Sequence, residues 1–113
     1  MSVKVGHFEQ FVADPKASRD WYSQALGFDA VSDQGDFQWV KLGDFEILLR
    51  PGNSPKFESY RDCARALVLY CTDLSELAEH LLSLGVPVSN GDFDDCLTFQ
   101  DPDGHWIQAV QAD

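Results

Sequence analysis

His7, Glu9 and Phe11 are the residues whose types and spacing most directly suggest a chemistry. They stand two residues apart in an apolar stretch that predicts a β-strand, so the three side chains point to the same face. A histidine and a carboxylate on one face are groups that transfer protons in many enzymes. Burial in a pocket would raise the pKa of Glu9. It would then suit Glu9 to act as a base, with His7 as the acid, or to pair with a cation.

No second set of catalytic residues is evident in the sequence. The chain has no Gly-rich phosphate loop and no Cys-x-x-Cys pair, and its spacing does not assemble a Ser-His-Asp or Cys-His group. The three cysteines, Cys63, Cys71 and Cys96, are odd in number and lack the spacing of metal ligands. We therefore expect free thiols and a reducing, cytoplasmic location.

An internal repeat positions these residues. Residues 7–28 and 66–86 each read as an apolar strand, an Asp, and an amphipathic helix that ends in Leu-Gly. Asp14 and Asp73 are favoured helix N-caps, and Pro15 fits the first helical position. A fold built from two copies of one unit has approximate twofold symmetry. Positions related by the repeat are therefore expected to face each other across a shared cavity.

The remaining segments predict short strands joined by turns, including a hairpin about Gly43-Asp44. Each half then has the order βαβββ. The predicted first module is residues 1–52, the linker is 53–64, and the second module is 65–113, with both modules in one domain. The predicted strands span residues 3–13, 28–32, 37–42, 45–50, 65–72, 86–89, 93–100 and 105–111.

Three segments carry a family signature, and with the second helix they cover nearly the whole chain. They read HFEQFVADPKASRDWYSQALGF, LGDFEILLRPG and QDPDGHWIQAVQ. This pattern resembles the vicinal oxygen chelate superfamily, which includes glyoxalase I, extradiol dioxygenases and the fosfomycin- and bleomycin-resistance proteins. The resemblance implies an α+β fold in which two tandem βαβββ modules form a half-open curved sheet. It also implies a homodimer.

The resemblance further implies where a metal would bind. In the metal-using members, four strand positions supply His, Glu or Gln ligands, two from each half. Counted from the capping Asp residues and the turn glycines, these positions are His7, Ile47, Ala66 and Gln108. Two of these side chains cannot coordinate a metal, so we predict no metal and no cofactor. The alternative is that Glu46 faces inward and completes a three-ligand set with His7 and Gln108.

Alternation along the strands extends this site into a predicted ligand pocket. Apolar walls with few polar groups are typical of small-molecule sites. Two residues of the linker, Tyr60 and Arg61, either lie over this pocket or form a solvated loop. The predicted ligand-binding residues are His7, Glu9, Phe11, Trp39, Phe45, Ile47, Tyr70, Trp106 and Gln108.

The net charge of the chain limits the classes of partner that we expect it to bind. The formal net charge is −11, which disfavours nucleic acid and anionic membranes and favours a cationic ligand. No stretch approaches the roughly 20 apolar residues of a membrane span. We predict a small-molecule-binding protein similar to the bleomycin-resistance proteins, with an aromatic or cationic ligand. The alternative is a divalent-metal-dependent lyase, isomerase or dioxygenase of the same superfamily.

Overall fold

The protein consists of two compact units, Met1–Ser54 and the residues from Pro55 onward. The computed structural model describes residues 1–91 and 95–112. Each unit has the order βαβββ, which confirms the predicted α+β fold with two repeated modules. Most of the segment predicted as a linker, residues 53–64, belongs to the second unit.

The first unit is a four-stranded mixed sheet with one helix. Its elements are β1 (Phe8–Val12), α1 (Pro15–Leu26), β2 (Asp29–Gln34), β3 (Phe37–Leu42) and β4 (Phe45–Pro51). The strand order is β1-β4-β3-β2, with β1 parallel to β4 and the other neighbours antiparallel. The β3–β4 hairpin turns at Gly43-Asp44, as predicted, because Leu42 pairs with Phe45.

Local signals in the sequence account for the bounds of α1. Asp14 caps the helix: its Oδ1 accepts a hydrogen bond from the Ala17 N–H at 3.1 Å. Pro15 occupies the first turn, where no backbone donor is needed. Gly27 ends the helix at φ 77°, and its N–H donates to the Ser23 carbonyl at 3.0 Å. The predicted helix is therefore confirmed at both ends.

The first sheet has one face packed against α1 and one face left largely open. Val12, Val40 and Ile47 lie on the packed face and are fully buried. On the same face, Gln10 Nε2 donates a hydrogen bond of 2.7 Å to the hydroxyl of Tyr22 on α1. Side chains alternate between the faces, so the intervening residues of each strand lie on the open face.

The second unit repeats this arrangement. Its elements are a short 3-10 helix (Tyr60–Asp62), β5 (Leu67–Cys71), α2 (Leu74–Ser83), β6 (Ser89–Asn90), β7 (Cys96–Gln100) and β8 (Trp106–Gln111). The strand order is β5-β8-β7-β6, with β5 parallel to β8. Asp73 caps α2 through the Glu76 N–H at 3.0 Å. Leu81 of α2 and Ile107 and Ala109 of β8 form the buried core.

Some element bounds differ from the prediction. β1 begins at Phe8, five residues after the predicted start, because residues 1–6 have no partner strand among the described residues. The predicted strand 86–89 is replaced by the two-residue β6. Of the predicted strand 93–100, residues 93 and 94 lie outside the described part, together with 92 and 113. None of the described helices is long and apolar enough to cross a membrane.

Candidate functional site

The open face of the first sheet gathers most of the chemically capable residues of that unit. From the strand register and side-chain alternation, this face carries His7, Glu9, Phe11, Phe37, Trp39, Lys41, Glu46, Leu48 and Arg50. We call this set the open face of the first sheet. It includes His7, Glu9, Phe11 and Trp39 from the predicted ligand site. The imidazole of His7 lies edge-on to the Trp39 ring, with ring centroids 4.7 Å apart.

Three charged or polar groups form a chain across this face. His7 Nε2 and Glu9 Oε2 are 2.9 Å apart, and Arg50 Nη1 donates to Glu9 Oε1 at 2.9 Å. The hydrogen bonds from His7 and Arg50, in that order of effect, hold the pKa of the Glu9 carboxyl below its ordinary value. Burial in a pocket would have raised this pKa, but Glu9 is exposed and paired, so that condition is not met. Glu9 is therefore poorly suited to act as a base, and its carboxylate instead holds the side chains of His7 and Arg50 in place.

Aromatic rings flank the guanidinium of Arg50. The guanidinium carbon lies 5.4 Å from the centroid of the Phe11 ring and 4.7 Å from that of Phe37. Both distances are typical of cation–π contacts, which Arg makes with its flat face. The Phe11 ring is still 44% exposed, so its surface remains available to a ligand. Arg50 was absent from the predicted site.

The predicted orientation of Ile47 and Phe45 was wrong. Ile47 is fully buried on the face packed against α1, and Phe45 shares that face, where its ring lies 6.3 Å from Phe8. Glu46 instead belongs to the open face, because its neighbour Ile47 pairs with Val40 on the packed side. The alternation of Glu46 and Arg50 with apolar Ile47 and Leu49 was the signal that could have shown this.

The two hairpins turn on opposite faces of their sheets, which explains the error. The turn glycines, Gly43 and Gly104, each precede the first paired residue of the next strand, Phe45 or Trp106, by two positions. Phe45 lies on the packed face of its sheet, whereas Trp106 lies on the open face of the other. An equal count from the turn glycine therefore leads to opposite faces in the two units, because side chains alternate along each strand.

The second sheet also has an open face, and it carries the other predicted residues. Val68 pairs with Gln108 and Tyr70 with Val110, so these four side chains share one face with Trp106. Tyr70 is 79% exposed and Val68 is 45% exposed. The orientations predicted for Tyr70, Trp106 and Gln108 from strand alternation agree with this register.

The segment before β5 covers one end of that face. Trp106 Nε1 donates a hydrogen bond of 2.7 Å to the Phe57 carbonyl, and the Tyr60 hydroxyl donates one of 3.3 Å to Gln108 Oε1. The Tyr60 and Trp106 rings meet edge to face at 6.1 Å. Of the two alternatives for Tyr60, the structure has the one in which it lies over the predicted ligand residues. Its partners are distant in sequence, so no periodic pattern indicates them.

The donor set does not fit a resident metal ion. The Nε2 atom of His7 contacts Glu9, and the side-chain oxygen of Gln108 already accepts a hydrogen bond from Tyr60. Ala66 has no donor atom. Across residues 1–91 and 95–112, no group of three or more His, Cys, Asp or Glu side chains is arranged to hold a metal. Glu46 on the open face adds one carboxylate without completing such a group.

Comparison with known proteins confirms the family resemblance. Residues 4–109 match the family model of the Glyoxalase/Bleomycin resistance protein/Dioxygenase superfamily. An integron cassette protein from the mobile metagenome of V. cholerae is 26% identical over 100% of both chains, with a TM-score of 0.74. TnmS3, an antibiotic binding protein from Streptomyces sp. CB03234, is 25% identical over 99% of this chain and 100% of that chain, with a TM-score of 0.73.

A more distant structure agrees in fold alone. The fosfomycin resistance protein FosX from Listeria monocytogenes, complexed with Mn(II) and sulfate, is 14% identical and has a TM-score of 0.83 over 100% of this chain and 93% of that chain. No curated protein sequence matches the chain.

Proposed function

Because the chain belongs to the Glyoxalase/Bleomycin resistance protein/Dioxygenase superfamily, we propose that it binds a small molecule without a metal ion. The ligand is a planar aromatic compound that stacks on the rings of the first sheet's open face. The observation that carries this proposal is the set of rings on one sheet face, Phe11, Phe37 and Trp39, of which the first two flank the guanidinium of Arg50. The likeness to an antibiotic binding protein supports it.

Stacking is the interaction that this face offers most readily. Aromatic side chains present large flat surfaces, and pairs of rings contribute about 0.5–1.5 kcal/mol beyond the area that they bury. The carboxylate of Glu9 is already paired with both His7 and Arg50. Its role in this proposal is to hold His7 beside Trp39 and Arg50 beside the two Phe rings, which leaves ring surface rather than an unpaired charge for the ligand.

A binding experiment tests the proposal. Isothermal titration in the presence of a chelator would use four probes: bleomycin, ethidium, acriflavine and anthraquinone-2-sulfonate. We expect saturable binding of at least one probe, and Trp39→Ala should weaken it about tenfold or more through loss of the stacking surface. The matched control is Trp21→Ala, which removes a tryptophan from α1. Binding by none of the probes, or an equal loss in both variants, would contradict the proposal.

A second candidate function is a divalent-metal-dependent lyase, isomerase or dioxygenase. The observation that favours it is that Glu46 lies on the open face next to His7. The β1–β4 ladder begins with the pair Phe8 and Ile47, and His7 and Glu46 are the residues directly before these two. Elemental analysis of the purified protein separates the two candidates. Stoichiometric Ni, Zn, Fe or Mn that is lost in His7→Ala and Glu46→Gln would support the enzyme. Metal far below one atom per chain would support metal-free binding.

A further inference from the structure

A small cavity in the second unit lies beside Ala66, one of the four positions at which the family resemblance implied a metal ligand. Its volume is about 230 Å³, and it is lined by Tyr60, Arg61, Cys63, Ala64, Arg65 and Ala66. We call it the Ala66 cavity. A water molecule takes about 30 Å³ of liquid, so the cavity has room for a small oxyanion and several waters.

The Ala66 cavity concentrates the positive charge of its unit. From Pro55 onward the chain has three Lys or Arg residues, Lys56, Arg61 and Arg65, and residues 66–113 contain neither type. Two of these three line the cavity. The neighbouring acids in the chain, Glu58 and Asp62, are exposed and are not among its lining residues. This otherwise acidic unit therefore contains a cavity whose charged lining is entirely basic.

A tight turn holds the backbone at Arg65. The Arg65 N–H donates to the Cys63 carbonyl at 2.5 Å, and the Cys63 thiol donates to the Arg65 carbonyl at 3.3 Å. Ala64, between them, has φ 63°, the single positive φ among the described residues other than glycine. This conformation is costly for an alanine, and such strain concentrates at functional sites. The turn therefore fixes the backbone position from which the Arg65 side chain extends.

The Arg65 side chain has capacity to bind an anion. Arg65 is exposed, and the structure records no ion pair or side-chain hydrogen bond for it among the described residues. A guanidinium carries five donors in a planar fork that matches carboxylate and phosphate oxygens, and it stays charged at all ordinary pH values. Arg61 adds a second permanent charge at the same cavity.

We propose that the Ala66 cavity is an anion site that binds a carboxylate or phosphate-type oxyanion, with Arg65 supplying the positive charge that holds the anion. The net charge of −11 does not oppose this. Charges more than about 8 Å apart are largely screened at physiological salt, whereas a guanidinium in contact with the anion is not. The proposal uses residues of the second unit alone and does not depend on the ring-binding proposal for the first unit.

Two-dimensional amide NMR of the full chain tests the site with three probes. Inorganic phosphate has no ring, benzoate has a ring and a carboxylate, and benzamide has the ring without the charge. We expect phosphate and benzoate to shift the amide resonances of residues 61–66 saturably, and benzamide to leave them unchanged. The stronger of the two anions identifies the oxyanion class. Phosphate has no ring and cannot stack, so a phosphate titration tests the anion site separately from the proposal that the first unit binds aromatic compounds.

Variants locate the charge that binds the anion. Arg65→Gln should weaken phosphate or benzoate binding about tenfold. Lys56→Gln is the matched control, since it removes the same charge from the same unit outside the cavity. Ala66→Leu, which fills the cavity and keeps every charge, should abolish binding while the spectrum stays dispersed. Three results would overturn the proposal: no saturable shift with either anion, an equal shift with benzamide, or equal losses in Arg65→Gln and Lys56→Gln.

Discussion

The carboxylate of Glu9 organises the open face of the first sheet at the scale of single residues. It accepts from Arg50 and contacts His7, and Arg50 in turn lies against Phe11 and Phe37. Each of these side chains is half-exposed, so solvent weakens every individual ion pair. The main effect of these contacts is to fix the shape of the open face, and their contribution to stability is small.

The lowered pKa of Glu9 predicts how stability depends on pH. A carboxyl whose pKa is lower in the folded state contributes stability above its ordinary value of 4.5, and that contribution is lost as pH falls through the folded pKa. Glu9→Gln should therefore be less stable than the wild type near neutral pH, and the difference should vanish in acid. Urea unfolding measured from about pH 3 to pH 7 checks this.

Glu46→Gln is the control for that measurement. It removes a carboxylate from the same face, and no ion pair of Glu46 is recorded in the described part of the chain. A wild-type advantage over Glu9→Gln that stays constant down to the lowest pH would contradict the ion-pair account.

Gly52 allows the Phe11 ring to lie where it does. A Cβ at Gly52 would stand 2.8 Å from Phe11 Cβ and 2.9 Å from Phe11 Cδ1. Gly52→Ala should thus destabilise the protein by about 1–3 kcal/mol and displace the ring. Gly6→Ala, with no atom within 4 Å of its Cβ, is the matched control. Urea unfolding of both variants measures the effect, and equal stabilities would show that Phe11 is not packed there.

The register between strands governs which side chains share a face at the scale of elements. Period-two alternation correctly places His7, Glu9 and Phe11 on one face and Trp106 and Gln108 on one face, because β-strand geometry alone relates residues of the same strand. Relating one strand to the next requires the register of their pairing. Phe45 and Trp106 both follow their turn glycine by two residues but lie on opposite faces, so a count from the glycine assigned Ile47 to the wrong face.

The sequence offered Tyr60 over the pocket as one of two alternatives, but it could not predict which residues the irregular segment contacts. The hydrogen bonds from Trp106 to the Phe57 carbonyl and from Tyr60 to Gln108 join residues 48 or more positions apart. No local propensity specifies such pairs, since they depend on tertiary packing. Helix ends are the opposite case: Asp14 and Gly27 act through neighbouring backbone groups, so the bounds of α1 are visible in the sequence.

The strained turn at Ala64 predicts that a substitution by glycine stabilises the protein. Ala64→Gly should raise the free energy of unfolding by about 0.5–1 kcal/mol, because glycine adopts a φ of 63° without the steric cost that alanine bears. The same change should weaken phosphate binding at the Ala66 cavity, because a glycine makes the backbone that positions Arg65 more flexible. Ala30→Gly in β2 is the control and should destabilise instead. A loss of stability in Ala64→Gly would show that the turn is not strained.

Exposed apolar surface on an edge strand bears on the assembly at the scale of the whole molecule. β5 is the outer strand of its sheet, and its Val68 and Tyr70 are 45% and 79% exposed. Open edges with apolar side chains are usually covered in stable proteins. We therefore expect a homodimer, which the family resemblance also implies.

Sedimentation equilibrium should give twice the mass of one chain. Tyr70→Lys should weaken the dimer about tenfold or more by burying a charge. Leu82→Lys places the same charge on α2, where the side chain is 57% exposed, and should leave the dimer intact. A wild type that sediments as a single chain at micromolar concentration would rule out the dimer.

One measurement tests metal-free ligand binding most directly. The dissociation constant of the tightest-binding aromatic probe would be determined twice on one preparation, once with excess chelator and once with added Zn²⁺ or Mn²⁺. If the rings of Phe11, Phe37 and Trp39 hold the ligand, the two constants should agree within about twofold. Binding that requires the added ion would show instead that His7 and Glu46 act as metal ligands.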